Sequence, residues 1–140
     1  MIVLLELASG PCLTDRSERM PTVELNKKSF EATILTNDMV IVDFWAEWCG
    51  PCRQFAPVYE KASEVYPDIV FAKVDTESEQ ELASYFNIQS IPTLMIFRDK
   101  IGIFSQPGAL PEDVLIDLIE QAQQLDMDEV RRQIEEDRDR

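Results

Sequence analysis

The apolar residues of this chain fall into short blocks whose spacing switches between that of strands and that of helices. Met39–Trp45 is an almost unbroken apolar run, the pattern of a strand covered on both faces. Gly50 and Pro51 then break the run. Proline lacks an N–H and suits the first turn of a helix, where that N–H would have no partner. Beyond it, Phe55, Val58, Tyr59, Ala62, Val65 and Tyr66 recur at helical spacing and predict one inward face. Pro57 stands inside this helix and predicts a kink. Residues 69–74 predict the next strand, so strand, helix and strand form a βαβ unit with parallel strands and a right-handed crossover.

The pattern continues on both sides of this unit. Residues 22–25 predict a short first strand. Asn26 is placed to cap a helix whose apolar marks are Phe30, Ile34 and Leu35. Asn37 and Asp38 make a turn before the apolar run. A third helix spans 78–86, with Leu82, Ala83 and Phe86 inward. Residues 93–97 and 101–104 predict two strands joined through Arg98, Asp99 and Lys100, a hairpin. Pro107 and Gly108 break the chain, and a last core helix spans 111–125, with Val114, Leu115, Leu118, Ile119 and Ala122 inward. From Asp126 onward Met127, Val130 and Ile134 keep partial helical spacing among charged residues, which predicts a frayed, charged helical tail. The resulting division is one α/β domain over 21–125, an extension over 1–20 and a tail over 126–140. The extension is expected to be a disordered tail, or else an upstream segment with Met20 starting the working protein. Residues 1–8 are mostly apolar but interrupted by Glu6, without the basic start and longer apolar core of a secretory signal.

Composition narrows the function classes. A chain of 140 residues with 45% hydrophobic and 29% charged residues is long enough for one domain with a real core. A net charge of -14 argues against nucleic acid and against an anionic membrane surface, both of which attract basic proteins. Three cysteines and no histidine make a poor metal site, so no metal is expected. The missing histidine also removes the usual base beside a nucleophilic cysteine.

Cys12 stands apart in the extension, which leaves Cys49 and Cys52, with two residues between them at a strand-to-helix junction. At a helix N-terminus, unpaired N–H groups and the helix dipole favour a thiolate. The chemistry that fits is thiol–disulfide exchange: Cys49 as nucleophile, Cys52 one turn later as the resolving thiol. Asp43 is the second informative residue, a carboxylate in the most apolar strand. Burial raises its pKa and suits it to accept the Cys52 proton. Lys73, on the neighbouring predicted strand, is a pairing partner for it. The alternative for Cys49 and Cys52 is a pair of structural thiols, and for Asp43 a carboxylate that merely caps or pairs.

The string Trp48-Cys49-Gly50-Pro51-Cys52, preceded by Val42-Asp43-Phe44-Trp45-Ala46 and followed by Ile91-Pro92-Thr93, resembles thioredoxins of the bacterial type over roughly 22–125. The resemblance implies the thioredoxin fold, a central mixed sheet of about five strands flanked by four helices. It implies a cis peptide at Pro92 beside the cysteines, and an Ile91 backbone left free to bond an extended substrate. It places Trp48, Gly50, Pro51, Ile91, Pro92 and Gly108 on the substrate-binding surface, and it matches Asp43 and Lys73 to the family's buried acid and its lysine. Pro107 and Lys100 depart from the family pattern, which commonly has an aliphatic residue and a glycine there. By resemblance the protein is a cytoplasmic, monomeric protein-disulfide reductase. It would bind no cofactor and would be re-reduced by a thioredoxin reductase carrying FAD and using NADPH. Two other readings stay open at this point: a thiol oxidant or isomerase, and a binding subunit that uses the same surface without turnover.

Overall fold

Nothing between Met39 and Phe44 can face water, and the fold places that stretch at the centre of a sheet. In the computed structural model, which describes residues 22–139, the strands are β1 (Thr22–Glu24), β2 (Met39–Trp45), β3 (Val70–Asp75), β4 (Thr93–Arg98) and β5 (Ile101–Pro107). The helices are α1 (Lys27–Thr36), α2 (Gly50–Val65), α3 (Gln80–Tyr85), α4 (Glu112–Gln124) and α5 (Met127–Arg138). The sheet order is β1-β3-β2-β4-β5. β2 runs parallel to β3 and antiparallel to β4, β1 is parallel to β3, and β5 is antiparallel to β4. This is the mixed five-stranded sheet expected, with β1 and β5 at its edges.

Side chains alternate across β2, so the strand feeds two cores. Ile41 packs with Phe55, Tyr59, Phe71, Leu115 and Ile119, on the side of α2 and α4. Val42 and Phe44 pack with Phe30, Ile34, Val74 and Leu82, on the side of α1 and α3. The Tyr59 hydroxyl is fully buried and lies 2.9 Å from the Ile41 carbonyl and 2.7 Å from that of Ala72, which pins α2 across β2 and β3.

α1 starts where Asn26 caps it, in a reciprocal arrangement with Ser29. α2 begins at Gly50 and stays helical past Pro57. Three expected inward residues turn outward: Leu35, Val65 and Val114 are exposed. Each sits at the rim of its helix's apolar arc, where Ile34, Ala62 and Leu115 already fill the contact with the sheet. The charged tail also differs from the expectation of fraying. Asp126 accepts the N–H groups of Asp128 and Glu129 and caps α5, Met127 is buried, and Arg131 reaches Asp99 in the β4–β5 turn at 3.3 Å. Arg98 donates to the carbonyls of Ala122 and Leu125 and ties that hairpin to the end of α4. The expectations for the N-terminal extension and for Cys12 lie outside the described residues.

Candidate active site

β2 ends at Trp45 and α2 begins at Gly50, so the chain must turn within residues 46–49. The turn closes with the Cys49 N–H donating to the Ala46 carbonyl at 3.2 Å. Cys49 is thereby the N-cap of α2, and its Sγ accepts the N–H of Cys52 at 3.1 Å. That donor is one of the four that every helix start leaves without a partner. A sulfur in this position carries negative charge more readily than a free thiol. The two sulfurs are joined as a disulfide, with the Cα atoms 5.2 Å apart.

A nucleophile and its resolving partner need not be equally open in the oxidised form. Here each residue is 3% exposed. Trp45 and Ile91 pack against the pair, and the Ile91 carbonyl oxygen lies 3.8 Å from Cys49 Sγ. The loop before β4 therefore covers the leading sulfur in the oxidised protein. In that loop the Ile91–Pro92 peptide is cis. The Gly108 N–H donates to the Pro92 carbonyl at 2.7 Å, which holds the β5–α4 connection against the same loop. Gly108 has φ of 111°, a conformation that side chains disfavour, although a Cβ there would meet nothing within 4 Å. Backbone shape, not space, calls for glycine at this point.

On the other side of the cysteines, Trp48 is 66% exposed. Its Nε1 donates to Glu77 Oε2 at 3.2 Å. Glu77 is placed by the turn after β3, where Asp75 Oδ1 accepts its N–H at 2.9 Å. Glu77 belongs to no motif and no apolar period, so sequence reading passes over it. Only the parallel pairing of β2 with β3 brings the two turns together. Pro51 is exposed, and a Cβ on Gly50 would meet nothing within 4 Å, so the ridge beside the disulfide is open to an approaching chain.

Asp43 lies in the sheet beneath this surface, 1% exposed, and neither carboxylate oxygen has a hydrogen-bond partner. Burial pushes its pKa up to about 7, against the pull of Lys73 and with help from the negative charge of Glu24. The expected pairing with Lys73 is only indirect. The two residues are register partners on β2 and β3, but they form no close ion pair. Lys73 Nζ sits over the Trp45 ring, 4.6 Å from its centroid. A lysine keeps its ammonium partly hydrated where it can, and the aromatic face beside it offers a place for the charge without full burial.

Among the described residues no cluster of three or more histidine, cysteine or carboxylate side chains could hold a metal ion. Among the same residues no helix is long and apolar enough to cross a membrane. The chemistry at hand is that of the sulfur pair itself.

Comparison with known proteins agrees with this geometry. The thioredoxin family profile matches residues 21–121. The chain is 62% identical over 115 residues to the putative thioredoxin 2 of Streptomyces coelicolor, covering 82% of this chain and 86% of that one. It is similar to the solved structure of Plasmodium falciparum thioredoxin at a TM-score of 0.67 and 38% identity, covering 71% of this chain and 98% of the other. The solution structure of the oxidised form of that protein matches at 0.66 and 37%, over 72% and 97%. The chain belongs to the thioredoxin family, and its Cys49–Cys52 pair makes it a thiol–disulfide oxidoreductase that acts as a protein-disulfide reductase.

Proposed function

We propose that the reduction of client disulfides runs through Cys49 as nucleophile, with Cys52 as the resolving thiol and Asp43 as the proton acceptor. The Cys49 thiolate attacks one sulfur of a client disulfide, forming a mixed disulfide and releasing the first client thiolate. Cys52 gives its proton to the Asp43 carboxylate and attacks Cys49 Sγ. The mixed bond breaks, the second client thiolate leaves, and the Cys49–Cys52 disulfide forms. Two electrons pass from the protein dithiol to the client. A carboxyl whose pKa lies near 7 suits this transfer at neutral pH, because both of its protonation states are then populated.

The observation that carries the reading is the hydrogen bond from the Cys52 N–H to Cys49 Sγ, a backbone donor aimed at the atom that must bear charge. Docking falls to the surface made by Trp48, Gly50, Pro51, Ile91, Pro92 and Gly108, where an extended client can bond to the Ile91 backbone as an added strand would. Lys73 tunes Asp43 through its charge. The protein works in the cytoplasm as a monomer whose redox unit spans 21–125. A flavin-dependent thioredoxin reductase returns it to the dithiol with electrons from NADPH, and the protein itself holds no cofactor.

Reduction of insulin disulfides with NADPH and a thioredoxin reductase tests the whole cycle, and the expected result is turnover that Cys49→Ser abolishes. Cys52→Ser should accumulate mixed disulfides through Cys49, and the absence of any trapped client would count against the order of attack. A pH–rate profile left unchanged by Asp43→Asn would remove the carboxylate from the proton transfer.

A further inference from the structure

Three parallel strands place three ionisable side chains in one row. Glu24 on β1 is the register partner of Lys73 on β3, and Lys73 is the register partner of Asp43 on β2. Register partners on parallel strands project to the same face, and Ile41 and Phe71 show that this is the face under α2. The row runs from the exposed edge of the sheet, where Glu24 sits, to a fully enclosed carboxylate at its centre. Lys73 is the one cation in it. It is held between the two acids, with its Nζ over Trp45 and bonded to neither.

The surroundings of Asp43 offer little else. β4 presents Leu94 opposite it. α2 contributes the Tyr59 hydroxyl, already placed against two carbonyls. With no donor on either oxygen, burial dominates the charge state of Asp43, and the charged groups that act on it are Lys73, which favours the ionised form, and Glu24, which opposes it. Glu24 in turn is raised above the ordinary carboxylate range by partial desolvation, against the pull of Lys73 and with a contribution from Asp75.

We propose that Glu24 is a positioning residue for the resolving step: from the sheet edge it offsets the Lys73 charge that reaches Asp43, and so helps keep that carboxylate protonatable at neutral pH. This rests on the reading of Asp43 as proton acceptor. Removing the Glu24 charge leaves Lys73 unopposed, so Asp43 becomes a stronger acid and a poorer acceptor. Parallel strands are about 4.8 Å apart, so two strand spacings separate the acids by roughly 10 Å. At that range, in a partly buried setting, the Asp43 titration midpoint is expected to fall by about 0.5–1 on the pH scale.

The experiment is a carbon-13 NMR titration of the Asp43 carboxyl in the reduced protein, for the parent, Glu24→Gln and Glu24→Asp. The expected result is a lower midpoint in Glu24→Gln and one closer to the parent in Glu24→Asp, which keeps the charge. A purely structural role would move both variants alike. Midpoints that coincide in all three proteins, or equal displacements in both variants, would overturn the proposal. The pH–rate profile of insulin reduction separates the two readings. If the midpoint moves and the rate profile does not follow, the Glu24 coupling stands and the role of Asp43 in proton transfer falls. If the midpoint stays in place, the coupling itself falls, whatever Asp43 does.

Discussion

Asp43 is a carboxylate held where its charge is disfavoured, and folding must bear the cost whenever it is ionised. Its pKa rises from an ordinary value of 3.8 to about 7 in the folded chain, chiefly through burial. Between those two pH values the native state holds a proton that the unfolded state has released. Stability therefore falls as pH rises through this window and stays lowered above it. Asp43→Asn removes the ionisation, so the variant and the parent should be similar near pH 4. The variant should then gain on the parent until about pH 8. The gain should reach on the order of 2–4 kcal/mol, since each tenfold change in a proton equilibrium is worth about 1.4 kcal/mol. Urea unfolding at pH 4, 6 and 8 measures this, and a constant difference across the series would show that Asp43 is not raised. Such a residue was legible in the sequence, because a lone acid inside Met39–Trp45 has no polar neighbour along the strand. Its relation to Lys73 was legible only as adjacency. Where the ammonium goes was decided by the Trp45 ring.

Elements follow from local spacing, and their ends from single residues. The β4–β5 turn consists of Asp99 and Lys100 between the register partners Arg98 and Ile101. Their φ angles are 51° and 72°, so both sit in the left-handed region that a two-residue hairpin of matching twist requires. Aspartate tolerates that region, whereas lysine is strained there. Lys100→Gly should therefore stabilise the protein by about 0.5–1 kcal/mol. Thermal unfolding should show a rise of a few degrees, and a fall would mean that the lysine side chain contributes more by its contacts than its backbone loses. The hairpin was readable from the sequence, and the departure from glycine from the resemblance to the family. The rims of the helices were not. Leu35, Val65 and Val114 fit their helical periods but lie outward, because spacing specifies a stripe and not its width.

For the whole molecule, the open question is where the working unit ends. Spacing and charge placed a boundary near Leu125, yet α5 is anchored beyond it. Met127 is buried, Arg131 pairs with Asp99, and Arg98 grips the carbonyls at the end of α4. The ion pair is exposed and contributes little, so most of the anchoring is apolar. Burying a methionine side chain is favourable by roughly 1.5–3 kcal/mol. Truncation after Leu125 should lower stability by about 2 kcal/mol in denaturant unfolding. It should leave insulin reduction intact, since no residue of α5 reaches the disulfide surface described above. Loss of turnover in a folded truncated protein would place the tail within the functional unit.

Local pattern in the chain was enough for the alternation of strands and helices, the sulfur pair at a helix start and the enclosed acid, because each depends on neighbours within a turn or a strand. Three features came only with the folded arrangement: the cover of Ile91 over Cys49, the grip of Glu77 on Trp48, and the row from Glu24 through Lys73 to Asp43. These join residues far apart along the chain through strand register and loop closure, and no local pattern encodes which distant turn will meet which.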